Sequence, residues 1–355
     1  RSFSARSKQM DDPVQQLMLY KRVSGATAVG VTLLWCYWLG KRKGDRTKAL
    51  LKDCTLVNLE PGHYESNVSF YRYRGYVLPG QIVMSGVLQE LPSFEFRDTD
   101  VVVASYPKTG TTWVQQIVYM LKNGCQATTG EDENLETRFP YLEFPYPGIR
   151  TVAGMPGDRC IKTHLPYSLL PPSIHDCAAK VVYVTRNPRD TAVSYYHFMR
   201  LLTTTGFVGT FSDFIDDFLR DEVPYSPFFS HVRSYYSERD NPAVLFLTYE
   251  EMQRDPTAAV RRIAHHLNVA VSDEDVQYVV AHTSFITMSR NPSVNYDHWK
   301  QIGFAHTDRG NFLRKGIVGD WQSSLNAEQV TRFEAWENSS SGPGDCNFTY
   351  NLDTT

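Results

Sequence analysis

The sequence predicts an α/β fold with parallel strands. Two short apolar runs rich in β-branched residues, VVVAS at 101–105 and KVVYVT at 180–185, each lead into a basic loop and then into a stretch of helical periodicity. Short apolar runs bounded by polar residues fit strands buried on both faces, as in a parallel sheet. The chain has 355 residues, 42% hydrophobic and 21% charged, which is enough for a sizeable core. At roughly 150 residues per domain the length suggests about two domains, but α/β folds often exceed that as one. There is no repeat of the period that marks solenoids or propellers. A net charge of −3 gives no reason to expect a nucleic-acid partner, so any anion site must come from a local cluster of basic residues.

The first element in order is a tail. Residues 23–40, VSGATAVGVTLLWCYWLG, carry no charge and lie between Lys21–Arg22 and Lys41–Lys43. A membrane span needs about 20 such residues, so this stretch stands at the short end. Trp35 and Trp38 near one end suit an interface. A targeting segment or an irregular tail fits the same residues. If the stretch spans, the excess of Lys41, Arg42, Lys43, Arg46 and Lys48 on its C-terminal flank leaves the rest of the chain in the cytosol. The six cysteines show no CxxC or Cys/His spacing, and such scattered thiols read as reduced, in a reducing compartment. Residues 1–70 are expected to be tail and linker, 71–336 a folded domain, and 337–355 a second tail.

After the strand at 101–105 comes YPKTGTTW (106–113), and beyond it Trp113, Ile117, Met120 and Leu121 recur at helical spacing. Strand, tight loop and helix in this order make an anion site. The first N–H groups of the helix lack partners and its dipole adds positive charge. Gly110 permits close backbone approach, Lys108 adds a full charge, Thr109, Thr111 and Thr112 add hydroxyls, and Trp113 offers a flat face for a base. A kinase-type P-loop is the rival reading. It requires a glycine well before the lysine, and none lies in the eight residues before Lys108. It also requires an Asp for magnesium, whereas the strand at 180–185 ends on Arg186.

The second loop is RNPRD (186–190), followed by the helical stretch TAVSYYHFMRLL, with Asp190 suited to an N-cap. Ligands of open parallel sheets bind at the carboxyl ends of strands. Arg186, with a fork suited to phosphate, and Ser194 in the following turns are placed there to hold a second phosphate. A third basic site, FLRKGIVGDW (312–321), sets Arg314 and Lys315 beside Gly316.

Together these segments resemble the cytosolic sulfotransferase family, whose marks are a YPKxGTTW loop, an RNPxD…SYYHF segment and an RKGxxGDW loop. KTHLP at 162–166, LTYEE at 247–251 and HTSF at 282–285 with Asn291–Pro292 match as well. The likeness covers about residues 71–336. YVLP at 76–79 and YLEFPYPG at 141–148 are most similar to the branch typified by the brain sulfotransferase. That branch has lost parts of its cofactor site, but Trp113, Arg314, Lys315 and Gly316 are kept here.

The resemblance implies a single α/β domain with a central parallel sheet flanked by helices and a P-loop-like phosphosulfate loop. The donor is then 3′-phosphoadenosine 5′-phosphosulfate (PAPS), the product 3′,5′-ADP, and no metal is needed. By the same likeness Lys108, Thr109, Gly110, Thr111 and Thr112 cradle the phosphosulfate and Trp113 stacks near adenine. Arg186, Ser194, Arg314, Lys315 and Gly316 hold the 3′-phosphate. Tyr249, Thr283, Phe285, Met288 and Phe312, with Leu313, line the adenosine. His164 becomes the general base, its ordinary pKa of about 6.5 lying near working pH, while Lys108 and Lys162 neutralise charge on the transferring group. Tyr141, Phe144 and Phe198 line the site of a small hydroxyl acceptor, such as a phenol, steroid or other alcohol. An inactive nucleotide-binding relative and, further off, a small-molecule kinase remain the other readings. Many relatives dimerise through a KxxxTVxxxE segment after GDW. This chain has Gln322, Asn326, Ala327 and Thr331 at those places, so a monomer or a dimer through another surface is expected.

Overall fold

The computed structural model describes residues 49–125 and 133–340. The described chain begins with a small antiparallel sheet of β1 (Cys54–Leu56), β2 (Phe70–Tyr73) and β3 (Tyr76–Pro79). The β2–β3 turn is Arg74–Gly75, both at positive φ (48° and 91°), as a two-residue hairpin matched to strand twist requires. β1 lies inside the stretch expected to be linker. Its neighbour Val57 is buried, and the Tyr64 ring meets Phe70 and Phe207 edge-on at 5.1 and 5.2 Å. A three-residue strand held by partners far along the chain leaves no local period to read.

The second sheet is the predicted one. Its strands are β4 (Val101–Ser105), β5 (Cys160–Thr163), β6 (Lys180–Thr185) and β7 (Val244–Thr248), in the order β5-β4-β6-β7 and all parallel. Successive side chains of a strand point to opposite faces. Val101 and Val103 of β4, with Val182 and Val184 of β6, therefore enter one hydrophobic cluster, and Val102, Ala104, Val181 and Tyr183 enter the other. Helices cover both faces. On the first lie α1 (Thr111–Lys122), which packs Val114, Ile117, Val118 and Leu121, and α6 (Pro256–His266) and α7 (Asp273–His282). On the other lie α2 (Pro188–Leu201), α3 (Phe211–Leu219) and α4 (Phe228–Tyr236), together with the small sheet. The short helices α5 (Tyr249–Arg254) and α8 (Phe285–Arg290) cap the carboxyl edge, and α9 (Ala327–Ser340) closes the described chain. α9 runs past Trp336, where the domain was expected to end.

The strand order makes the β4/β6 boundary a topological switch point, where loops leave in opposite directions and open a crevice. All four strands end at that edge, and each is followed by residues singled out above: β4 by the Lys108 loop, β5 by His164, β6 by Arg186 and β7 by Tyr249.

No helix among the described residues is long and apolar enough to cross a membrane. The expected anchor, residues 23–40, lies outside the described residues, as does the tail after Ser340. Cys54, Cys125, Cys160 and Cys177 are free thiols.

Candidate active site

The loop after β4 is wound tightly. Lys108 has φ 71° and Gly110 φ 116°, and a Cβ on Gly110 would lie 2.9 Å from Tyr249 Cδ2, so glycine is required there. Thr109 Oγ1 donates to the Tyr106 and Val184 carbonyls, both at 2.8 Å. That hydroxyl staples the loop to β6. Thr111 and Thr112 open α1, and no side chain caps its first N–H groups. Lys108 Nζ sits 3.8 Å from the Phe312 ring centroid and 4.7 Å from that of Phe198. Burial, then the charges of Lys162, Arg186 and Arg314, bring its pKa down to about 7.

His164 is fixed by the same strand end. Its Nδ1 lies 2.7 Å from the Ser105 carbonyl oxygen. A carbonyl only accepts, so Nδ1 carries the proton and Nε2 presents a lone pair. Ser105 Oγ stands 3.2 Å from the same Nδ1 and is hydrogen-bonded on its other side to Thr111 Oγ1. Burial, reinforced by the Lys162 charge, holds the His164 pKa well below the ordinary histidine value, so the ring is neutral at physiological pH. Residues 140–142 run beside β5, with the Leu142 N–H on the Lys162 carbonyl at 2.8 Å. This places Tyr141 edge-on to His164 at 5.2 Å, stacked on Phe144 at 5.1 Å, and under the Lys162 ammonium at 4.5 Å. Burial brings Lys162 down to about 8.

The third basic site folds back onto the second. Arg186 donates to the Ile317 carbonyl at 2.7 Å and lies over the Tyr249 ring at 4.5 Å. Gly316 has φ 68°, and a Cβ there would stand 2.2 Å from the Phe285 ring. Gln253 Nε2 donates to the Gly316 carbonyl and the Tyr249 hydroxyl at 3.1 and 2.8 Å. Trp113 meets Tyr249 edge-on at 5.6 Å. Met288 and Thr283 are buried, the Thr283 hydroxyl being spent on the Val279 carbonyl, and Leu313 packs beside Phe312 on the α1 face of the core. Ser194 is half-buried in the second turn of α2. Among the described residues no group of three or more His, Cys, Asp or Glu stands where it could hold a metal ion.

Residues 98–340 match the Sulfotransferase domain family. The chain belongs to the sulfotransferase family. It is 36% identical to sulfotransferase 1B1 of Mus musculus, over 70% of this chain and 84% of that one. To sulfotransferase 1A1 of Bos taurus it is also 36% identical, over 70% and 85%. Among solved structures it is similar to retinol dehydratase in complex with retinol and PAP, with a TM-score of 0.74 and 27% identity over 86% of this chain and 97% of that one. Mouse sulfotransferase SULT7A1 complexed with PAP gives 0.63 and 26% over 76% and 94%.

In this sulfotransferase chain the crevice gathers Lys108, Lys162, His164, Arg186, Tyr249, Phe312 and Arg314 from loops far apart in sequence. One expectation is corrected. The N-cap of α2 is Asn187, whose side chain accepts from the Arg189 and Asp190 N–H groups. Asp190 instead accepts the Gly319 and Trp321 N–H groups at 2.7 and 2.9 Å. Five residues were missed by sequence reasoning: Ser105, Glu143, Tyr225, Gln253 and Asp320. Tyr225, at φ 70°, places its ring 5.5 Å from His164 and its hydroxyl 2.9 Å from that of Tyr141. Glu143 accepts the His164 N–H at 2.7 Å and the Thr163 hydroxyl at 2.8 Å, and burial lifts its carboxyl to about 7. Ser105 and Asp320 stand in segments singled out above and Gln253 in α5, but in all five cases the partner comes from elsewhere in the chain or from the packed loop, so the part each plays follows only from the packed chain.

Proposed function

We propose that the chain transfers a sulfuryl group from PAPS to the hydroxyl of a small aromatic or apolar acceptor, with His164 as general base. The observation that carries this is the tautomer fixed at Ser105, which leaves an unprotonated Nε2 in a cleft walled by Tyr141 and Tyr225 and flanked by two lysines. The residues fit the donor. Arg186 Nε, Arg314 Nε and Trp113 Nε1 are buried without hydrogen-bond partners, donors waiting for an acceptor, and Gly110 and Gly316 let the Tyr249 and Phe285 rings pack directly on the backbone of the two basic loops. When bound, PAPS supplies an activated sulfuryl group and leaves as 3′,5′-ADP.

His164 Nε2 takes the acceptor's proton as the acceptor oxygen forms its bond to sulfur. The bond from sulfur to the phosphate oxygen breaks, and its electron pair stays on the phosphate. Lys108 and Lys162 stabilise the charge that builds on the transferring and leaving oxygens, and their partly dry setting strengthens that effect. Arg186, Ser194, Arg314, Lys315 and Gly316 hold the 3′-phosphate. Trp113, Tyr249, Phe285, Met288 and Phe312 enclose the base and ribose. Tyr141, Phe144 and Phe198 face an apolar acceptor. The retinol in the complex of the similar dehydratase supports an acceptor of that character.

The test is transfer of 35S from labelled PAPS across a panel of phenols, steroids and alcohols. His164→Ala should lower kcat by about 10²–10⁴, the worth of a positioned base, and leave the Kd of 3′,5′-ADP unchanged. Absence of transfer to every acceptor, or stabilisation by ATP-magnesium and not by 3′,5′-ADP, would overturn the reading. We also propose the uncharged stretch 23–40 as a membrane tether with the catalytic domain on its cytosolic side. Carbonate-resistant membrane association, lost when residues 1–48 are removed, is the expected result.

A further inference from the structure

Asp320 is buried at the back of the third basic loop. Its side chain is 2% exposed, whereas those of Arg314 and Lys315 are 22% and 47% exposed. One carboxylate oxygen accepts from an Arg314 terminal nitrogen and the other from Lys315 Nζ. A single anion thus holds both cations from the inner side. Two roles fit that contact and predict opposite effects. Asp320 either occupies the cations against an arriving phosphate or aims them at it.

The backbone decides between them. The N–H groups on both sides of Asp320, those of Gly319 and Trp321, are held by the Asp190 carboxylate at 2.7 and 2.9 Å. The Asp320 carbonyl accepts the Ser323 and Ser324 hydroxyls, both at 3.0 Å. A residue pinned at its carbonyl and at both neighbouring amides has nowhere to withdraw when a ligand enters. Arg314, meanwhile, gives a terminal nitrogen to Asp320 and keeps a buried Nε without a partner, and Arg186 Nε is in the same condition. A guanidinium is a rigid plane with five donors, so anchoring one edge fixes where the remaining donors point.

We propose that Asp320 is a positioning residue that aims Arg314 and Lys315 at the nucleotide 3′-phosphate, and so sets the preference for 3′-phosphorylated nucleotides. This rests on the PAPS reading of the site. Burial pushes the Asp320 carboxyl up, but the Lys315 and Arg314 hydrogen bonds outweigh it and hold the group below the ordinary range, so it is ionised wherever the enzyme works.

The experiment measures, by titration calorimetry on the full chain, the Kd of 3′,5′-ADP and of 5′-AMP, which lacks the 3′-phosphate. The chains compared are wild type, Asp320→Asn and Asp320→Glu, and the ligand-free melting temperature of each is recorded. In Asp320→Asn the ratio of the two affinities should fall by about tenfold or more, as when a charge-assisted contact is lost, with 5′-AMP binding unchanged. Asp320→Glu keeps the charge but displaces it by one methylene, so it should lose less of the ratio. If Asp320→Asn does not fold, Asp320→Glu alone decides, and a ratio equal to wild type overturns the proposal. So does tighter binding of 3′,5′-ADP by Asp320→Asn, which would make the carboxylate a competitor. A parallel loss for both nucleotides would mark a merely structural residue. A wild-type chain with no preference for 3′,5′-ADP would overturn the PAPS reading itself, an outcome distinct from a preference that the variants retain.

Discussion

Lys108 shows how the site prepares for an anion. Its ammonium rests on two aromatic rings, and burial together with the charges of Lys162, Arg186 and Arg314 lowers its pKa to about 7. A bound phosphate favours the charged form and raises that pKa. Below about pH 6 the lysine is already protonated and binding takes up no proton; above pH 7 it must gain one. The sign follows: the affinity for 3′,5′-ADP should fall as pH rises from 7 to 9, with net proton uptake. Calorimetry in buffers of different ionisation enthalpy measures that uptake, and a binding enthalpy independent of buffer would refute it. Arg186 belongs to the same scale. Arg186→Ala should cost about 1.5–3 kcal/mol of 3′,5′-ADP binding, the worth of a charge-assisted contact, while kcat at saturating donor changes far less. The loss should be read by titration, because Arg186 also braces the Ile317 carbonyl.

At the scale of elements, strand–loop–helix order was legible wherever a strand is buried on both faces. β4 and β6 could be read from the sequence because unbroken apolar runs report burial directly, and the loops after them carry charges that a mere turn does not need. β1 and the segments around Glu143 and Tyr225 could not, since their partners come from distant parts of the chain. Asp190 shows a subtler limit. Its position suited a cap, but the helix starts earlier, at Pro188 with Asn187 as its cap, so Asp190 lies inside the first turn and its carboxylate is free to hold the 319–321 loop. α9 has a cap of its own. Asn326 Oδ1 accepts the Gln329 N–H at 2.8 Å, and Gln329 returns the contact to the Asn326 N–H at 3.0 Å. Asn326→Ala should therefore lower stability by about 1 kcal/mol without changing nucleotide affinity, as read from urea unfolding and the Kd of 3′,5′-ADP.

For the whole molecule, the small sheet decides where the chain can be shortened. Leu50 is buried beneath Gly86, and β1 covers the edge of β2. A chain starting at residue 49 should keep full activity. One starting at Leu59 removes β1 and bares a strand edge, a known route to aggregation, so it should lose several degrees of melting temperature or come out insoluble. Equal melting temperatures for the two would show that the small sheet is dispensable. The segment from Gln322 to Thr331 lacks the charged pair expected of a dimer interface, and Asn326 is engaged in its own helix, so the shortened chain should sediment as a monomer at micromolar concentration. A tight dimer broken by Asn326→Asp, a change that preserves the cap, would contradict this. One last consequence follows from Ser105. Its hydroxyl meets Thr111, the first residue of α1, and its carbonyl orients His164. Donor and acceptor chemistry are thus surveyed from a single benchmark at the tip of β4. A substitution that shifts the tip of β4 should therefore disturb both halves of the proposed reaction together, and a misplacement of about 1 Å is enough to cost about a hundredfold in rate.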